Sequence, residues 1–224
     1  MLLAAIGDIR GNLPALEAAM QMIDSRGIQT IVNTGNIVVG APFPDEVIRM
    51  LDLYRVQSAM GDLDRYVANF RKRAEAARQE LSPEEYQAIE WTHKHIRSRN
   101  IEYLRGLKRR FVTTLEGLSF CISHGCPTSP SDSLEADDDE TIFRRQREYA
   151  NVHVVVVGKA SKPYYRFVDD TLFVCPGKLG VLDNDQASGS FAIINTETRP
   201  WLVTLEAIHY SRKRIAEQYA KLER

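Results

Sequence analysis

The sequence predicts an α/β protein, and three observations carry that prediction. A short apolar run, residues 2–6, ends in Gly7-Asp8, breaks at Gly11, and gives way at once to a helix pattern from Leu13. Two more short apolar runs, 30–34 and 56–60, end in the same kind of turn, Gly35-Asn36 and Gly61-Asp62. A second strand-rich half begins at Phe111. In an open α/β sheet the carboxyl ends of the strands are where ligands sit, so three glycine–polar strand ends predict one shared site. Asp8 and Arg10 alternate along the first turn, which aims both side chains at the same crevice.

Length and composition set the frame. The 224 residues are ample for a well-buried core, and 44% hydrophobic with 26% charged residues is an ordinary globular mixture. We read residues 1–224 as one domain, with a helical segment, 65–108, inside it. A formal net charge of −1 gives no strong nucleic-acid signal. The three cysteines, Cys121, Cys126 and Cys175, form no Cys-x-x-Cys pair, which argues against structural zinc or a disulfide framework and for a reducing, cytoplasmic setting. The apolar N-terminal run is too short for a signal peptide, and no run reaches membrane length.

Taken in order, residues 13–26 place Leu16, Ala19, Met20 and Ile23 on one face, as a helix lying on a sheet requires. Asp45 is positioned to cap a helix over 46–54. Residues 65–108 read as helical, with Ser82-Pro83-Glu84-Glu85 as a helix start. His93 and His95 lie two apart and share no helix face, so they read as surface or partner residues rather than metal ligands. The runs Arg71-Lys72-Arg73 and Lys108-Arg109-Arg110 read as solvated faces. Strands 111–115 and 118–123 flank the turn Glu116-Gly117, and 127–133 is a loop. Asp137-Asp138-Asp139-Glu140 reads as a capping cluster for a helix over 141–149, since it lacks the alternation and glycine of a calcium loop. Strands follow at 153–157, 166–168, 171–174, 190–195 and 201–207, and a charged helix from Ile208 onward.

Five blocks stand in order along the chain: Gly7-Asp8-Ile9-Arg10-Gly11-Asn12, Gly35-Asn36-Ile37-Val38, Gly61-Asp62-Leu63-Asp64, His124-Gly125 and Gly158-Lys159-Ala160-Ser161. They resemble the calcineurin-like metallophosphoesterase superfamily, and within it the small bacterial and archaeal phosphodiesterase branch. Its blocks read G-D-x-H-G-N, G-D-x-x-G, G-N-H-D, H-G and G-H-T-H. Residues 12–17, Glu90-Trp91-Thr92, 104–107, Pro176-Gly177 and Gly180 match as well, so the resemblance covers nearly the whole chain. It implies a four-layer α/β sandwich, two mixed β-sheets face to face with helices outside. It also implies two metal ions, roughly 3.5–4 Å apart, that activate water and clamp a phosphate.

The same resemblance shows where this chain departs. At the places of the first metal's ligands Asp8 remains, while Arg10, Asn36 and Ser161 replace the others. At those of the second stand Asn36, Asp62, His124 and Lys159. Leu63 occupies the place of the catalytic histidine, so no catalytic residue is expected. Arginine has no lone pair to donate, lysine must first lose its proton, and leucine transfers none. The expected site balances two carboxylates, Asp8 and Asp62, against Arg10 and Lys159, with no metal or other cofactor. Three readings follow. One is a phosphate- or nucleotide-binding, regulatory pseudoenzyme using Arg10, Lys159 and Lys178. Another is a phosphodiesterase or phosphatase with a single manganese or zinc ion on Asp62, His124 and Asn36. The third is a protein-interaction scaffold, such as this fold forms in the retromer complex. A homodimer is the default assembly, with no membrane partner.

Overall fold

The computed structural model describes residues 1–182 and 187–222. β1 (Leu2–Ile6) runs into α1 (Leu13–Ser25), β2 (Thr30–Asn33) into α2 (Pro44–Leu53), and β3 (Gln57–Ser58) into α3 (Asp62–Ala68). Then come α4 (Phe70–Glu80), α5 (Pro83–His95) and α6 (Ser98–Gly106). β4 (Arg110–Leu115) and β5 (Leu118–Ser123) form a hairpin, and α7 (Glu140–Ala150) leads to β6 (Val154–Val157). The chain continues through β7 (Tyr164–Val168), β8 (Thr171–Cys175), β9 (Ser188–Asn195), β10 (Leu202–His209) and α8 (Lys213–Leu222).

The strands form two mixed five-stranded sheets, ordered β10-β9-β1-β2-β3 and β4-β5-β6-β8-β7. β1, β2 and β3 are parallel, as are β5, β6 and β8; the remaining pairings are antiparallel. The period-2 alternation of a strand explains the layering. Leu3 and Ala5 of β1 meet Phe120, Ile122, Val154 and Val156 of the other sheet, forming the core between the sheets. Ala4 and Ile6 face the opposite way, into a core with Leu16, Ala19 and Ile23 of α1. On the far side of the second sheet, Val155 and Phe173 pack on Phe143 of α7. The result is the expected four-layer order of helix, sheet, sheet, helix.

Several local expectations are corrected. Asp45 does not cap α2, whose N-cap is Phe43; its Oδ1 accepts from the backbone N–H of Arg97 at 3.1 Å, so it caps α6 instead. β3 has only two residues, at the edge of its sheet, where it has a single neighbour. The C-terminal helix starts at Lys213, because Ile208 and His209 still pair with Gly189 and Ser188. His93 is an internal packing residue: its Nδ1 lies 3.0 Å from the Val67 carbonyl and its ring stacks on Phe70. Ser82 and Glu85 form the capping box of α5, and Asp139 caps α7. No helix among the described residues is long and apolar enough to cross a membrane.

Candidate functional site

The carboxyl ends of six strands converge on one crevice of about 400 Å³. Asp8, Asn36 and Asp62 follow β1, β2 and β3; His124, Lys159 and Lys178 follow β5, β6 and β8. Arg10, Leu63 and Ser161 line it too, so every residue singled out from the sequence reaches one place. The turns are locked to one another by backbone hydrogen bonds. The Asp8 N–H donates to Gly35 O at 2.9 Å, and the Arg10 N–H to Asn36 O at 2.9 Å. The Gly158 and Lys159 N–H groups both donate to His124 O, at 2.9 and 2.7 Å, which fixes Lys159 beside the histidine. Gly61 must be glycine because its backbone rests on the next turn: a Cβ there would lie 2.2 Å from the Asn36 nitrogen.

Strain marks the same turns. Asp8, Arg10 and Asn36 all have left-handed backbones, with φ of 48°, 53° and 56°. Asp and Asn tolerate this region; arginine has no local side-chain bond to favour it, and such conformations cluster where a side chain must be aimed.

The charges form two linked groups. Asp8 is 5% exposed; its Oδ1 accepts from Asn36 Nδ2 at 2.7 Å and lies 3.7 Å from Arg10 Nε. The other end of Asn36 is also used, since its Oδ1 accepts from the Leu63 N–H at 3.0 Å. Asp62 is held on both oxygens. Lys159 Nζ donates to Oδ2 at 2.8 Å, and Arg109 Nη2 binds Oδ1. Lys159 Nζ also donates to Ser131 O at 2.6 Å. His124 is 2% exposed, and its Nδ1 faces the Thr34 carbonyl at 3.0 Å. A carbonyl only accepts, so Nδ1 carries a proton, and Nε2 lies 4.0 Å from Asp62 Oδ2.

Two residues of this network are invisible in the sequence pattern. Arg109 belongs to a run that reads as a solvated face, and that reading is corrected: the Met60 N–H donates to Lys108 O and the His124 N–H to Arg109 O, which wedges Arg109 between the ends of β3 and β5. Glu135 lines the crevice from the loop before α7 and accepts both the backbone N–H and Oγ of Ser161, at 2.9 and 2.8 Å. Ser161 is thereby committed to Glu135. The cysteines are buried, and burial pushes the thiols up, to about 11 for Cys121 and Cys126 and about 12 for Cys175. They are protonated and unreactive near neutrality.

The donor set does not fit a pair of metal ions. Asp62 already binds two cations, both ends of Asn36 are engaged, and Arg10 and Lys159 stand where lone pairs would be needed. Among the described residues no group of three or more His, Cys, Asp or Glu side chains is placed to hold a metal.

A family model for the calcineurin-like phosphoesterase superfamily domain matches residues 1–199. An uncharacterized protein of Methanocaldococcus jannaschii is 27% identical over 193 residues, covering 83% of this chain and 72% of that protein. The crystal structure of a hypothetical protein from Pyrococcus horikoshii OT3 superimposes with a TM-score of 0.86 at 24% identity, over 99% of this chain and 93% of that one. That of a metallophosphoesterase from Sphaerobacter thermophilus gives 0.78 at 20% identity, over 100% and 95%.

Proposed function

This chain belongs to the calcineurin-like phosphoesterase superfamily, and from that premise we propose that its crevice has exchanged two-metal hydrolysis for metal-independent binding of a phosphate-bearing ligand, in a regulatory role. The superfamily usually binds divalent metals. The observation that carries the proposal is the Asp62 carboxylate, clasped by Lys159 on one oxygen and Arg109 on the other. A metal ion on Asp62 would have to displace an ammonium or a guanidinium and leave that cation unpaired. Breaking a buried pair in this way costs on the order of 3–5 kcal/mol, somewhat less at a half-buried site such as this one. The positive charge that a metal would set against Asp62 is supplied by Lys159 and Arg109.

Two cationic groups in the crevice retain binding capacity. Arg10 lines the crevice with its side chain partly exposed, and its one ion pair among the described residues is the loose 3.7 Å approach of Nε to Asp8 Oδ1. Lys178 is exposed at the mouth and takes part in none of the ion pairs among the described residues. A phosphate satisfies both, since guanidinium and ammonium donors are the usual partners of its oxygens. A second reading, one metal on Asp62 and His124, draws on the 4.0 Å approach of His124 Nε2 to Asp62 Oδ2, but Lys159 holds that same oxygen at 2.8 Å.

Thermal unfolding with inorganic phosphate tests the binding reading. At about ten times its Kd, phosphate contributes roughly 1.4 kcal/mol, a rise in Tm of about 3–6 °C. The rise is expected in the wild type and is expected to vanish in Arg10→Ala, with manganese and zinc giving none. A wild-type Tm that ignores phosphate and climbs with manganese overturns the proposal in favour of the one-metal reading.

A further inference from the structure

Beside the crevice lies a second cavity of about 460 Å³, which shares the walls Asp62, Tyr66, Leu81 and Lys159. Arg65 and Arg73 also line it. Asn69, which ends α3 and begins α4, brings them together: its Nδ2 donates to Arg65 O at 3.1 Å, and the Arg73 N–H donates to Asn69 O at 3.1 Å. The two arginines therefore stand four residues either side of one helix junction and reach the same space. Neither makes a salt bridge or a side-chain hydrogen bond among the described residues; Arg73 only overlies the Tyr66 ring, 5.8 Å from its centre.

Among the described residues two carboxylates line this cavity, Asp62 and Glu80. Asp62 is held by Lys159 and Arg109, and Glu80 accepts the Tyr66 hydroxyl. Burial lowers the Arg65 pKa from its ordinary value, with the charges of Arg73 and Arg109 acting the same way and that of Asp62 opposing them. An arginine stays protonated regardless, and an anion is the partner that suits two guanidinium groups lining one cavity. Tyr66 and Leu81 line both cavities.

We propose that the ligand carries two separate anionic groups, one held by Arg10 and Lys178 and the other by Arg65 and Arg73. By chemical class it is a small molecule bearing two phosphates, for which adenosine 3′,5′-bisphosphate serves as the probe. This rests on the reading of the crevice as a phosphate-binding site and extends it to a second anchor. Two weak anchors joined in one molecule reinforce each other, because the second phosphate binds at the high local concentration set by the first.

Isothermal titration calorimetry at about 0.15 M salt, where screening is physiological, tests this with 5′-AMP and adenosine 3′,5′-bisphosphate on the intact chain. The bisphosphate is expected to bind at least tenfold tighter than 5′-AMP. The double variant Arg65→Ala/Arg73→Ala is expected to erase that gain while leaving 5′-AMP within twofold, Arg73→Ala alone to erase part of it, and Arg10→Ala to weaken both ligands. Equal affinities in the wild type, or a gain that survives in the double variant, overturn the second anchor and leave the first standing. Bisphosphate binding that ignores Arg10→Ala, or no binding of either ligand, overturns the two-anchor ligand and the crevice reading together.

Discussion

Asp62 and Asp64 stand two residues apart after β3 and do different work. Asp62 faces the crevice and binds cations; Asp64 is fully buried and accepts the backbone N–H groups of Ile37, Gly61 and Val38, at 2.7, 2.9 and 3.3 Å. Burial pushes its carboxyl up, while those N–H bonds and the nearby His124 pull the other way. Asp64 thus stitches the β2 turn to the β3 turn. Asp64→Ala leaves three inward-facing N–H groups without an acceptor and is expected to destabilise the protein by about 3 kcal/mol or more. Urea unfolding would measure this, and Asp64→Asn, which keeps one oxygen, is expected to recover part of it; an alanine variant as stable as the wild type would contradict the role. The turn residues were legible in the sequence because each directly follows a strand at a glycine. Arg109 and Glu135 were not, because their places depend on long-range pairings, the Met60–Lys108 hydrogen bond and the contact with Ser161, that no local spacing encodes.

Among the elements, capping was readable where both partners are local and unreadable where they are distant. Ser82-Pro83-Glu84-Glu85 announces α5 from four consecutive residues. Asp45 carries the same type of signal, but its partners lie more than fifty positions away: it accepts from the Arg97 N–H at 3.1 Å and from Asn100 Nδ2 at 2.5 Å. Asp45→Ala is therefore expected to cost about 1 kcal/mol. Hydrogen exchange should quicken in the first turn of α6 rather than that of α2, and the reverse pattern would return the cap to α2. The strand ends were misjudged for a related reason. β10 continues to His209 because β9 offers partners as far as Ser188, whereas β3 stops after two residues at the rim of its sheet. The α3–α4 junction at Asn69 has the most bearing on the ligand, because it turns Arg73, part of an apparently solvated basic run, into the second cavity.

At the scale of the molecule, two parallel strand sets aim their carboxyl ends at one crevice. The order of the five blocks made the sandwich legible, since glycine turns between buried strands are a local feature repeated at long range. The departure of the five blocks from the pattern they resemble was legible as well, because arginine and leucine cannot donate a lone pair to a metal and lysine must first lose its proton. Which cations remain unpaired after folding was not legible, and the proposed anion site depends on it. The most direct measurement is metal content together with turnover of a chromogenic phosphodiester, on protein purified without chelator and then reloaded with manganese. Clasping of Asp62 by Lys159 and Arg109 predicts well under one metal per chain and no turnover. One metal per chain, with turnover abolished by Asp62→Ala or His124→Ala, would contradict it and show hydrolysis rebuilt on a reduced site.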